Sequence, residues 1–185
     1  MLAAAAHAAQ PSVRVRGTIV SLEGDVLTVK SREGEVLRAR LTEKTTVAAA
    51  QAISLADLKP GDYVGSATRQ RADGVRIALE VHTLPPTAAA GHRPWDLEPG
   101  SMMTNANLVS VVEVAGGQEL TLAYPGGSQK ILVPPGTPIV TTVPADRSLL
   151  KPGEYVFFTA EADAAGRLAV PGRIQVSRDG VRPPQ

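Results

Sequence analysis

His82, His92, Met102 and Met103 carry the imidazole and thioether donors that suit a soft ion such as Cu(I). No His-x-His or Met-x-Met pair sets two of these donors side by side, and His82 stands in the alternating run Leu79-Glu80-Val81-His82, which predicts a solvent-facing ring. Ser101, His92 and Asp96 have the residue types of a serine hydrolase. That chemistry requires a strained nucleophile turn and an oxyanion hole. Glu98-Pro99-Gly100-Ser101-Met102 has glycine on only one side of the serine. Glu33 and Glu35 lie in a turn between strands, without the apolar setting that raises a carboxyl pKa. Tyr124-Pro125-Gly126-Gly127 and Pro134-Pro135-Gly136 lack the Lys-Ser/Thr that opens a phosphate-binding helix. With no cysteine, the chain has no disulfide, thiolate metal site or cysteine nucleophile. The expectation is therefore a protein that is not an enzyme, with no catalytic residue, metal or cofactor.

Binding chemistry has two candidate locations. Arg14, Arg16, Lys30, Arg38 and Arg40 recur at alternating positions, so they can share one face of a sheet. Acidic Glu23, Asp25, Glu33, Glu35 and Glu43 interleave with them, and the strands Val26–Lys30 and Glu35–Thr42 hold no aromatic residue for base stacking. Residues 11–87 carry 11 basic and 9 acidic groups, and residues 88–185 carry 8 and 9, so no long-range field draws a polyanion. Nucleic acid is disfavoured as a partner on these grounds.

The second location is the segment 85–107. It opens with the extended Pro85-Pro86-Thr87-Ala88-Ala89-Ala90 and then concentrates rare types: the single Trp (Trp95), His92, Arg93, Asp96, Met102 and Met103. Two readings stand side by side. Trp95 plugs a hydrophobic junction while Arg93 and Asp96 pair with each other or with backbone, or the segment displays a ligand or partner epitope on a rigid scaffold.

The elements that position these residues come from an internal repeat. Leu58-Lys59-Pro60-Gly61-Asp62-Tyr63-Val64 returns as Leu150-Lys151-Pro152-Gly153-Glu154-Tyr155-Val156, at an offset of 92. Leu27-Thr28-Val29 and Thr45-Thr46-Val47 have counterparts in Leu120-Thr121-Leu122 and Thr137-Pro138-Ile139. Within each copy the hydrophobic period is two, and turns at Gly24-Asp25, Glu33-Gly34, Gly116-Gly117 and Gly126-Gly127 separate the runs. Short helices are expected at Ser54–Leu58 and Asp146–Leu150, each stopped by Lys-Pro-Gly. The excess of Gly (17) and Pro (15) is spent on this punctuation. Three strands, a short helix and two strands, taken twice, predict an all-β protein of two tandem five-stranded OB-like barrels, each with one short helix between strands 3 and 4.

Gly17-Thr18-Ile19-Val20, Leu27-Thr28-Val29 and Leu58-Lys59-Pro60-Gly61-Asp62 resemble an uncharacterised OB-like family of exported bacterial proteins. The block Gly91–Ser101 with Met103-Thr104-Asn105-Ala106 is similar to its tandem subgroup, and the likeness spans most of residues 14–182. The family has no established activity, so the resemblance transfers no catalytic residue. It adds a second functional reading, a soluble accessory of metal handling.

No run approaches the ~18 apolar residues of a membrane-spanning helix. Ala6-His7-Ala8 fits the small-x-small rule before a signal cleavage point, which predicts a residual export-signal tail, or a disordered end, over 1–11 and a periplasmic or secreted protein, otherwise a cytoplasmic one. The expected domains are a barrel over 12–84, a Trp-containing linker over 85–107 and a second barrel over 108–182. The expected role is a non-catalytic binding or scaffold module for a protein or small-ligand partner. Metal handling, nucleic-acid or oligosaccharide binding through a barrel face, and an unrecognised hydrolase are the alternatives.

Overall fold

The computed structural model describes residues 12–185; the export-signal reading of residues 1–11 lies outside them. The chain is all-β, as the period-two patterning predicts. Its first repeat forms β1 (Ser12–Glu23), β2 (Val26–Ser31), β3 (Val36–Leu41), β4 (Thr46–Ala52), β5 (Tyr63–Gln70) and β6 (Arg76–Thr83). A short strand β7 (Gly91–Pro94) lies in the linker. The second repeat forms β8 (Met102–Val114), β9 (Gly117–Tyr124), β10 (Gly127–Val133), β11 (Ile139–Ala145), β12 (Tyr155–Ala162), β13 (Leu168–Val170) and β14 (Arg173–Val176). β13 and β14 together match β6; Pro171-Gly172 divides them, since proline has no N–H for a ladder.

The contacts divide the chain differently from the contiguous barrels 12–84 and 108–182. One compact unit takes residues up to Ala49 and adds Pro144–Pro183; the other comprises Ala50–Val143 with Pro184–Gln185. In the first unit, β1 pairs with β2, β2 with β3, β3 with β13 in parallel, β13 with β12, and β12 with β1, which closes a five-stranded ring. In the second unit, the ring runs β8, β9, β10, β6 (parallel to β10), β5 and back to β8. Each ring therefore takes three strands from one repeat and its last two positions from the other. The physical reason lies in the repeat itself: strands of nearly the same pattern offer the same ladder and the same apolar face, so either copy satisfies the ring.

Two further expectations change. The helices expected at Ser54–Leu58 and Asp146–Leu150 are single 3-10 turns, Leu55–Asp57 and Arg147–Leu149. With Pro60 and Pro152 so close behind, neither segment has the length that pays for an α-helical nucleus. Ser54 does not cap through its oxygen; its hydroxyl and its N–H both donate to the Asp57 carboxylate, at 2.8 and 2.7 Å. The extra strand β4 and its counterpart β11 precede these turns, and in each the chain passes from one unit to the other.

The core of the second unit gathers Val64, Val81, Ala106, Leu108, Leu120, Leu122 and Ile131 inside its ring. Val15, Ile19, Leu27, Val29, Leu41, Val156, Phe158 and Ile174 are buried likewise in the first. Both first strands bulge at the same point, between Ile19 and Ser21 and between Leu108 and Ser110, and turn Val20 and Val109 out to solvent.

Candidate functional site

The basic residues are placed by the ladder of the first unit. Thr18 is opposite Lys30, Lys30 opposite Val36, Thr28 opposite Arg38 and Val26 opposite Arg40. Residues in register point to the same side, so Arg14, Arg16, Lys30, Arg38 and Arg40 all belong to the outer face of β1–β2–β3. Arg14, Lys30, Arg38 and Arg40 are exposed. Arg40 shares charge with Asp25, whose Oδ2 accepts from its Nε at 3.1 Å. Arg16 departs from the expected solvated stripe: it is 3% exposed, with its guanidinium 4.8 Å from the centre of the Phe157 ring. Its cross-strand partner is Phe157 on β12, contributed by the other repeat, and no reading of the first repeat alone could supply that ring. Tyr155, two residues earlier, is covered in the same manner by Arg182 at 4.6 Å.

The charge asymmetry is larger between the units than between the repeats. The first unit holds 13 basic and 10 acidic residues, net +3; the second holds 6 and 8, net −2.

The linker is a hairpin. β7 pairs antiparallel with the start of β8, His92 opposite Thr104 and Arg93 opposite Met103. The connecting turn is closed by the Trp95 N–H on the Ser101 carbonyl, at 2.8 Å. The Ser101 hydroxyl is 1% exposed and committed to the same turn, donating to the Trp95 carbonyl at 3.0 Å and accepting the Glu98 N–H at 3.2 Å. His92 bonds elsewhere, Nδ1 to the Thr104 hydroxyl at 2.8 Å, and Asp96 is exposed. Ser101, His92 and Asp96 are neighbours in sequence with no hydrogen-bonded relay among them. Burial, and secondarily the charge of Arg76, lowers the His92 pKa from its ordinary value.

Alternation along the ladder also separates the soft donors. Met103 and Asn105 share a side with Glu80 and His82, through Ala67 and Gly65 on β5; Met102 and Thr104 share the opposite side with His92. The four His and Met donors thus point to two faces of one sheet. Among the described residues, no three His, Asp or Glu side chains converge in a way that would hold an ion.

On the first of these sides lies a group that sequence reading missed. Glu80 and His82 are buried on the outside of the ring, with 3.4 Å between Glu80 Oε1 and His82 Nδ1. The imidazole lies across Gly65, where a Cβ would come within 2.3 Å of Nε2. Gln185 donates its N–H to Glu80 Oε1 at 2.9 Å, and its carbonyl accepts the Trp95 indole N–H at 3.0 Å. Trp95 itself is half-buried, and the Arg93 guanidinium stands 5.9 Å from its ring centre. Glycine at 65, opposite a histidine, is the signal that could have located this group: a ring needs a bare strand to lie on.

An open groove of about 330 Å³ in the second unit, lined by Leu55, Gln118, Val133, Pro135 and Ile139, has Glu113 as its one titratable side chain. No helix of the described residues is long and apolar enough to cross a membrane. No protein-family model matches the chain, and no curated protein or solved structure matches it.

Proposed function

We propose that this chain is a non-catalytic binding module built on two OB-like barrels, and that it holds an anionic polysaccharide on the outer face of β1–β2–β3. The observation that carries this reading is the register that brings Arg14, Lys30, Arg38 and Arg40 onto one exposed face of the more basic unit. An extended polymer of repeating anions matches cations spaced along neighbouring strands. The rings nearest this face, Phe157 and Tyr155, are capped by Arg16 and Arg182, so bases find no open stacking surface; this favours a carboxylated or sulfated sugar over a nucleic acid. Ser101 and His92, each bonded within the linker hairpin, support a role without catalysis.

The experiment is a titration with heparin, as a sulfated probe, and with a single-stranded oligothymidine of equal charge, at 50 and 200 mM salt. Tight, salt-dependent binding of heparin is expected, with weaker binding of the oligonucleotide, and at least tenfold loss in Lys30→Glu/Arg38→Glu. Equal affinity of the variant would remove this face from the function. Stronger binding of the oligonucleotide would assign the face to nucleic acid.

A further inference from the structure

We infer that the slot between Glu80 and Trp95 is a receptor for an extended peptide of the Pro-Pro-X type, filled in this chain by its own Pro184-Gln185. An extended residue presents its N–H and its C=O on the same edge. Glu80 offers an acceptor and Trp95 a donor to that edge, and both hydrogen bonds, 2.9 and 3.0 Å, go to the main chain of Gln185. Such recognition reads backbone conformation, as an adjacent strand does. Pro183 and Pro184 are buried immediately before it. Each proline fixes its own φ and holds the preceding residue extended, so the segment arrives in its bound conformation with little entropy left to lose.

The receptor side stands without the ligand's help. The Glu80 carboxylate is buried, 3.4 Å from Nδ1 of His82, whose ring is seated on Gly65. Trp95 is fixed by the turn that Ser101 closes. A buried carboxylate requires donors, and an N–H from an extended segment supplies one where water is excluded. The chemistry of the slot thus specifies its occupant: a peptide N–H for Glu80, a carbonyl on the same residue for Trp95, and proline before it. A segment of this type from a partner enters by replacing residues 184–185. The slot belongs to the second unit and the basic face to the first, so neither depends on the other.

Trp95 is the only tryptophan, so its emission reports the slot directly. Pro184→Gly/Gln185→Pro in the full chain frees the segment, because proline at 185 has no N–H for Glu80. Its emission is expected to shift to the red and to become more open to acrylamide. The peptide acetyl-Val-Arg-Pro-Pro-Gln-amide should reverse both changes saturably, and acetyl-Val-Arg-Gly-Gly-Gln-amide should bind at least tenfold more weakly. Emission unchanged by the double substitution, or a red shift that neither peptide reverses, would overturn the inference. Should that variant fail to fold, the wild-type indole N–H resonance is followed instead, while millimolar Pro-Pro peptide competes with the chain's own segment. A dose-dependent shift, absent with the Gly-Gly peptide, supports the receptor; a stationary resonance refutes it.

Discussion

The two units run the same ladder with opposite fillings. In the first, Arg16, Phe157 and Gln175 stand in one cross-strand row; in the second, the matching row is Asn105, Gly65 and His82. Where the first has a ring with a guanidinium over it, the second has bare backbone with an imidazole folded across it. The interiors are alike, Leu27 answering Leu120 and Val29 answering Leu122, all fully buried. Barrel closure constrains the inside, while the outside of the same strands is free to diverge. Divergence has made one outer face basic and has given the other a buried carboxylate that takes a main-chain N–H.

The widest test of this pairing is of the shared interior. Leu27→Ala and Leu120→Ala should each destabilise by about 2–5 kcal/mol, since each removes a fully buried leucine from a closed ring. Urea unfolding followed by circular dichroism measures both. A cost below about 1 kcal/mol for one of them alone would break the equivalence of the two cores.

The next effect belongs to the rows that differ. Gly65→Ala puts a methyl group where His82 Nε2 lies and should cost about 1–3 kcal/mol, typical of overpacking. The obstructing atom is a side chain rather than backbone, so the companion change His82→Ala should recover much of that cost. A double-mutant cycle with near-zero coupling would show that glycine is there for some reason other than the ring. Smaller again is Trp95→Phe, which keeps an aromatic ring and deletes the indole N–H. It should cost about 0.5–1.5 kcal/mol, the worth of one hydrogen bond, and not the several kcal/mol of a core tryptophan.

Much of the fold was legible because strand patterning and turns are local. Alternation from Val13 to Leu41, the glycine turns and the Lys-Pro-Gly repeat all mark elements the chain forms. The ring partners were not legible, for β5 and β12 carry nearly the same message and either could close either ring. The anchors of the repeat stand 92 or 93 apart, Leu58 from Leu150 and Leu27 from Leu120. Ile19-Val20-Ser21 and Leu108-Val109-Ser110, which bulge alike, stand 89 apart because the hairpin after β8 is longer. For the candidate site, the ladder sets Arg14, Lys30, Arg38 and Arg40 on one face, as alternation expects of their positions. Alternation failed for Arg16, which stands over Phe157 of the other repeat, and for His82, which is buried with its ring across Gly65: a residue can leave the core side of a strand and still be buried. Phe157 lies over a hundred residues from Arg16, and Gln185 a similar distance from Glu80.

The smallest effect concerns His92, whose pKa is lowered by burial first and by Arg76 second. The folded state therefore prefers the neutral ring. The stability this contributes is fully present above the ordinary histidine pKa and is lost as pH falls through the depressed folded value, because the unfolded chain takes up the proton first. Arg76→Met removes the charge and leaves the burial. The His92 midpoint, followed by NMR of its ring protons, should move up yet stay below the ordinary value. The loss of stability between pH 8 and pH 5 should shrink in the same variant. A midpoint that does not move would mean that burial alone sets it; a midpoint that reaches the ordinary value would mean that Arg76 outweighs burial and that the ring is wetter than its contact with Thr104 implies.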